Sequence, residues 1–179
     1  MLRWPIREGV ELRLPEDRHS LELFQLIEDN RARLEQWMDW AHTTRSLEDT
    51  LAFIQKARSD FRRPDAYHLL IFCEDRISGV CSFILINDNV GEIGYWISEA
   101  QQGKGIITDI CREFVRFGFG HAGLTRIQIR CAVGNTRSSA VPRRLQFVCE
   151  GVLRQALRCG DRLFDAEMFS LLKSDYEPK

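Results

Sequence analysis

The sequence predicts a mixed α/β fold, a mostly antiparallel sheet flanked by helices, and three observations carry that expectation. Between Tyr67 and Ser98, runs rich in β-branched and aromatic residues are separated by the short polar stretches Glu74-Asp75-Arg76 and Asn87-Asp88-Asn89, the pattern of three adjacent antiparallel strands. Apolar residues at helical spacing lie on both sides of that block, so the chain supplies helices to cover a sheet. An apolar strand ending at Ile97-Ser98 then passes through Gly103-Lys104-Gly105 into a helical pattern, a strand-turn-helix junction. With 179 residues and 44% hydrophobic content, the chain suits one domain, residues 1–179.

Taken in order, Val10-Glu11-Leu12-Arg13-Leu14 alternates as a first strand, closed by Pro15. Leu21, Leu23, Phe24, Ile27 and later Leu34, Trp37 and Met38 recur at helical spacing. Ser46 and Asp49 precede Leu51, Phe53, Ile54 and Ala57 as in a capped helix start. Arg62-Arg63-Pro64-Asp65 ends that helical region. The strands Tyr67–Cys73, Ile77–Ile86 and Val90–Ser98 follow. After the glycine turn, Ile107, Ile110, Cys111, Phe114, Phe117 and Gly118 form one helical face. Thr125–Val133 reads as a strand, Ser138–Phe147 as a shorter helix, and Val148–Leu157 and Leu163–Leu172 as two final strands. There is no repeat, low-complexity run or interdomain linker.

The glycine turn is the most informative stretch. Gly103 and Gly105 let the backbone approach a ligand, and the helix start leaves N–H groups without internal partners, so the junction can cradle a pyrophosphate. A simple tight turn would use the same glycines. The run is not a P-loop, because Ser98 stands where its first glycine belongs and Gly105 where Ser or Thr would hold magnesium. It is not a dinucleotide fingerprint either, since the third glycine and a parallel βαβ series are missing.

Composition narrows the partners. The formal net charge is -1, which argues against general attraction to nucleic acid or an anionic membrane. Cysteines 73, 81, 111, 131, 149 and 159 show no metal-site spacing with one another or with His, so no metal is expected. Without a signal-peptide pattern or an apolar run near twenty residues, the expected location is a reducing cytoplasm.

In the segments Leu69–Cys73, Ile93–Ile97, Gln102–Ile106 and Ile129–Val141, and in their order, the chain resembles the GNAT-fold acetyl-CoA-dependent N-acetyltransferases of the Rim type. This family acetylates ribosomal-protein N-termini and related amines. The likeness leans to the branch that modifies the N-terminal serine of the ribosomal stalk protein, and it runs from about Glu11 to Leu172. The resemblance implies that backbone groups of Trp96, Ile97 and Ser98 hold the pantetheine arm of acetyl-CoA. It places the pyrophosphate on amides of Gln102, Gly103, Lys104, Gly105, Ile106 and Ile107, with Lys104 adding charge or facing solvent. Ala100 departs from the Gln or Arg usual at that position, so the missing contact either weakens affinity or is replaced by Gln101 or Gln102.

By the same resemblance, Asn135 binds the cofactor arm and Ser138 protonates the leaving thiolate, although either residue type also caps helices. Arg143 or Arg144 reaches the phosphates or faces solvent. Trp37, Met38 and Trp40 belong to the segment that covers the acceptor groove, and Cys131 lines the site as a thiol rather than acting as a nucleophile. Relatives can carry a Glu proposed as base where this chain has Leu157. Glu92 is the replacement candidate, with His68 second.

Reference pKa values of about 7.7–8.0 for an α-amine and about 10.4 for lysine make deprotonation at pH 7 cost roughly 1 against more than about 4 kcal/mol. An enzyme with a modest base is thus expected to take an α-amine, of a protein N-terminus such as a ribosomal protein's or of a small amino compound. A homodimer is compatible with the sequence. The rival expectation is a non-catalytic acyl-CoA-binding sensor or interaction module, to which Ala100 and Leu157 give weight.

Overall fold

The computed structural model describes residues 3–62, 66–87 and 89–176; the breaks read at residues 63–65 and at Asp88 lie outside them. Strands β1 (Arg3–Arg7) and β2 (Val10–Arg13) precede helices α1 (Ser20–Leu34) and α2 (Leu47–Arg62). Strands β3 (Ala66–Cys73), β4 (Arg76–Asn87) and β5 (Val90–Ile97) lead into α3 (Ile106–Gly120). Then come β6 (Arg126–Ala132), α4 (Thr136–Arg144), β7 (Val148–Cys159) and β8 (Arg162–Leu172). The sheet order is β1-β2-β3-β4-β5-β6-β8-β7, and every neighbouring pair is antiparallel except β5–β6. The mixed α/β class expected from the sequence is therefore correct.

Two elements differ from expectation. Strand β1 was not anticipated; its Trp4 packs edge-on to Phe117 and tilted on Phe114 of α3, so an N-terminal edge strand is fastened to the helix that follows the glycine turn. Helix α1 ends at Leu34, and Trp37, Met38 and Trp40 lie beyond it, with Met38 extended at φ -115° and ψ 111°.

Alternation along the strands divides the core. Leu69, Ile71, Cys81, Phe83, Ile93, Ile127 and Phe169 face α3, with Ile110 and Phe114 packed on them. Leu70, Val80 and Trp96 face the other way, under Leu23 and Ile27 of α1 and Ile54 of α2. Phe83 is fully buried, its ring 5.4 Å from Phe114 and 6.0 Å from Phe117. Phe83→Ala is expected to cost about 3–5 kcal/mol, read as a lower denaturation midpoint in urea. The six cysteines are all free and only Cys149 is exposed. Burial pushes the Cys81 and Cys111 thiols up, as befits small apolar core residues.

The feature that positions the site is a parting of strands. β5 and β6 pair only over Val90–Glu92 and Arg126–Gln128. Beyond that point β5 continues beside β4 while β6 continues beside β8, which leaves a wedge between Ile93–Ile97 and Ile129–Ala132.

Candidate active site between the parted strands

The main chain of β5 determines what this wedge offers. The Ser98 amide donates to the Ser78 carbonyl at 2.7 Å, so with Gly79 opposite Ile97, that pair is of the non-hydrogen-bonded kind. By alternation, Tyr95 and Ile97 turn their N–H and C=O groups toward the wedge, while Trp96 turns toward β4. Of the three residues expected to hold a pantetheine arm through their backbone, only Ile97 presents it; Ser98 has spent its amide on β4. The Ile97 carbonyl accepts from Arg33 Nη2 at 2.7 Å. Arg33 also donates to Asn30 Oδ1, which accepts the Glu99 amide as well. Arg33 thus braces the end of β5, and its Nε is buried without a partner among the described residues. Its distance along the chain hid it from sequence reasoning.

At the end of β5, a short turn of 3-10 helix leads into the two glycines, both left-handed at φ 74° and 77°. Gly105 is the N-cap of α3, and no side chain caps that helix, so the amides of its first turn remain open to an anion. A Cβ on Gly103 would meet nothing within 4 Å; its glycine answers to the backbone angle and leaves the face of the turn clear. These residues fit a pyrophosphate. Lys104 is exposed and donates to Gln101 Oε1 at 2.9 Å. Gln102 accepts from Arg137 of α4. Arg144 is exposed in the last turn of α4, and Arg143 pairs with Glu167. One cation was missed: Arg7 of β1 donates to the Lys104 carbonyl at 2.9 Å and to Asp109 at 2.8 Å, and so holds the glycine turn from the side.

Where the wedge meets the helical layer there is a cavity of about 420 Å³. Its walls are largely apolar, from Leu23, Ile27, Trp37, Met38, Trp40, Phe53 and Trp96 on one side to Ile129 and Leu157 on the other, with His68, Ser82, Cys131, Asn135 and Ser138 as polar points. Trp40 lies 5.8 Å from Trp96, and Trp37 lies 5.7 Å from Phe164 of β8. At the mouth of the wedge, Asn135 Oδ1 accepts the Ser138 amide at 3.2 Å and caps α4. The Ser138 hydroxyl is 3.4 Å from Tyr95 Oη and 3.4 Å from Cys131 Sγ, while Tyr95 Oη donates to the Ser138 carbonyl at 3.0 Å. Burial pushes the Cys131 thiol up to about 11, which favours the protonated thiol at neutral pH over a nucleophilic thiolate. Burial raises the Tyr95 phenol well above its ordinary value. Tyr95 joins Ser138 as a hydroxyl group at the mouth.

Glu92 sits at the base of the wedge. Gln128 donates to it at 2.7 Å and Arg130 reaches both of its oxygens, the nearest at 2.7 Å, and it is not among the residues lining the cavity. The structure brings His68, not Glu92, into the cavity wall beside the tryptophans. His68 Nδ1 lies 2.7 Å from Ser82 Oγ. Burial pushes the His68 imidazole below its ordinary value, Asp60 opposing and Lys56 reinforcing, so the ring is neutral at pH 7. Among the described residues no His, Cys, Asp and Glu cluster could hold a metal, and no helix is long and apolar enough to cross a membrane.

Comparison with known proteins gives this geometry a family. Residues 10–148 match the acetyltransferase (GNAT) domain. The ribosomal-protein-serine acetyltransferase of Escherichia coli (strain K12) is 34% identical over 167 residues, which cover 92% of this chain and 93% of that protein. The structure of RimL, a ribosomal L7/L12 alpha-N-protein acetyltransferase in complex with coenzyme A that is disulfide-linked to one of its cysteines, superposes with a TM-score of 0.90. It is 31% identical, over 98% of this chain and all of its own. The microcin C7 self-immunity acetyltransferase MccE, in complex with acetyl-CoA and AMP, gives a TM-score of 0.89 at 29% identity over 93% of this chain and 94% of its own. An uncapped helix start after two left-handed glycines, a parted strand pair and a 139-residue domain match thus converge, and the chain belongs to the GNAT family as an acetyl-CoA-dependent N-acetyltransferase.

Proposed function

We propose that this chain acts as one domain, residues 1–179, which acetylates the α-amine of a protein or peptide N-terminus by direct attack on acetyl-CoA. The observation that carries the reading is the wedge itself: it joins the open amides at the start of α3 to an apolar cavity, with the Ser138 hydroxyl between them. The names of the E. coli and RimL relatives support a ribosomal protein as the acceptor.

The donor thioester supplies an activated acetyl group. In this reading, amides from Gly103 to Ile107 hold its diphosphate, and the Tyr95 and Ile97 backbone groups hold its pantetheine arm as an added strand would be held. The Ile97 N–H lies toward the carbonyl on which negative charge develops. Ser138 returns a proton to the departing sulfur. Trp37, Met38 and Trp40 wall the acceptor side. Glu92, fixed by Arg130 and Gln128, orders the base of the wedge.

The test compares CoA release with two peptides at pH 7, one with a free N-terminus and no lysine, the other N-blocked with an internal lysine. The pKa gap alone predicts that the blocked peptide is slower by more than about 100-fold. Equal rates would overturn the α-amine reading, and acetyl-CoA binding without turnover on any amine would favour the non-catalytic module. Initial-rate lines for the two substrates are expected to intersect; parallel lines would point to an acetylated enzyme instead.

Arg7→Ala gives a second check. Losing its hold on Lys104 and Asp109 is expected to raise the KM for acetyl-CoA about 3- to 10-fold, with kcat little changed, in steady-state assays.

A further inference from the structure

A row of three residues crosses the sheet toward the wedge. His68 on β3 stands opposite Ser82 on β4, and Ser82 stands opposite Gly94 on β5; all three line the cavity. Behind His68, Asp60 Oδ2 of α2 lies 3.6 Å from Nε2, and Lys56 Nζ donates to the same oxygen at 2.5 Å. Gly94 is the informative member. Glycine in a strand interior costs stability, yet here its φ is not positive and a Cβ would meet nothing within 4 Å. The fold has room for a side chain at Gly94, so the clear face beside Ser82 is space for something that is not protein.

We propose that the acceptor amine seats over Gly94 and gives up its proton along this row, to Ser82 Oγ, as the Ser82 hydroxyl hydrogen moves to His68 Nδ1. The proposal rests on the transferase reading of the wedge. Ser82 meets the amine, and His68 acts through Ser82 as the positioning residue that stores the proton. The ammonium becomes a neutral amine and His68 an imidazolium, with Asp60 beside its Nε2. The nitrogen lone pair then forms the C–N bond at the thioester carbonyl, and the C–S bond breaks with its electron pair on sulfur. The second proton lost from nitrogen reaches that sulfur through Ser138. His68 releases its proton to solvent, so amide, thiol and one proton leave in balance.

The charges around His68 suit this task. On α2 it faces Asp60 and Lys56, which pair with each other, and the Phe53 ring meets it edge-on. Across the cavity, Arg130 is paired with Glu92. Burial favours the neutral imidazole, and in its Nε2-protonated tautomer Nδ1 can accept the Ser82 hydroxyl hydrogen.

The test sets two nucleophiles against each other in Ser82→Ala and His68→Gln: a peptide α-amine, which must lose a proton, and hydroxylamine, whose nitrogen is already neutral at pH 7. Peptide kcat is expected to fall roughly 100-fold. Hydroxylamine kcat should fall less than about threefold, with the KM for acetyl-CoA unchanged. The wild-type peptide kcat should decline on the acid side, below the ordinary histidine range, because burial lowers the pH at which His68 gains a proton, and that limb should vanish in His68→Gln. Gly94→Ala, for which the fold has space, should slow the peptide while keeping acetyl-CoA affinity, and it carries the test if Ser82→Ala does not fold. Equal losses on both nucleophiles would mean a structural role, and no loss on either would exclude the row; both outcomes overturn the proposal. Wild-type protein that binds acetyl-CoA but acetylates neither nucleophile would overturn the transferase reading and the row with it.

Discussion

Ser138→Ala is expected to lower kcat about 100-fold while leaving the KM for acetyl-CoA within a few-fold of its original value, measured by CoA release under saturating acceptor. The separation follows from where each function resides. The Ser138 hydroxyl is the polar group that links Tyr95 to Cys131 at the mouth of the wedge, and under the proposed mechanism its loss removes the proton source for the departing sulfur. The amides proposed to hold the donor are untouched, since the first turn of α3 starts at Ile106, in a separate helix from Ser138. Helix α4 is preserved as well, because its cap bond runs from the Ser138 backbone amide to Asn135, and alanine keeps that amide. A rise in KM with kcat unchanged would show that Ser138 binds the donor and does not assist the leaving group.

Gly79→Ala should damage both stability and donor binding. A Cβ at residue 79 would stand 2.2 Å from the Trp96 carbonyl oxygen and 2.8 Å from Ile97 Cα. Both are backbone atoms, so no side-chain rotation relieves the clash, and the end of β5 must move off β4. That shift strains the bond from the Ser98 amide to Ser78 and the Arg33 contact with the Ile97 carbonyl. Overpacking of this kind costs about 1–3 kcal/mol and should lower the melting temperature by several degrees. Because Tyr95 and Ile97 move with the strand, acetyl-CoA affinity by calorimetry should fall by roughly tenfold or more, on the scale of 1.4 kcal/mol per decade. Gly94→Ala is the internal contrast, since its Cβ meets open space. If Gly79→Ala binds acetyl-CoA as tightly as the original chain, the end of β5 does not hold the donor.

The central sheet and the glycine turn were legible because they depend on local pattern. Alternation and turn residues reveal β3, β4 and β5, and two glycines before an amphipathic helix reveal the start of α3, with no need for distant contacts. Strand β1 escaped because it is only five residues long and carries Pro5 inside it, a proline that an edge strand tolerates. The β7 bulge escaped for a similar reason: residues between Leu153 and Leu157 step out of register, with Gln155 left-handed and its amide on Asp165. That bulge is what sets Leu157 into the cavity wall.

Side-chain roles were harder to read than elements. Glu92 is a plausible base by residue type, but its commitment to Arg130 and Gln128 arises only because β5 and β6 pair in parallel at that point. Arg7 reaches the glycine turn across 97 positions. Ser98 was expected to serve the wedge, and the hydrogen-bonding parity of β5 turns its amide to β4 instead. In each case the deciding partner is remote in sequence and brought near by sheet register or, for Arg7, by the packing of β1 on α3, relations that one sequence does not display. His68, the second candidate base, stands half-buried in the cavity wall, beside a Ser82 that no sequence pattern singled out.

A crystal structure with acetyl-CoA bound would show where the donor sits. The diphosphate is expected on the amides of residues 103–107, the pantetheine arm between β5 and β6 against Tyr95 and Ile97, and the thioester sulfur beside Ser138. A donor bound elsewhere on the surface, with the wedge filled by protein or left to solvent, would contradict this placement.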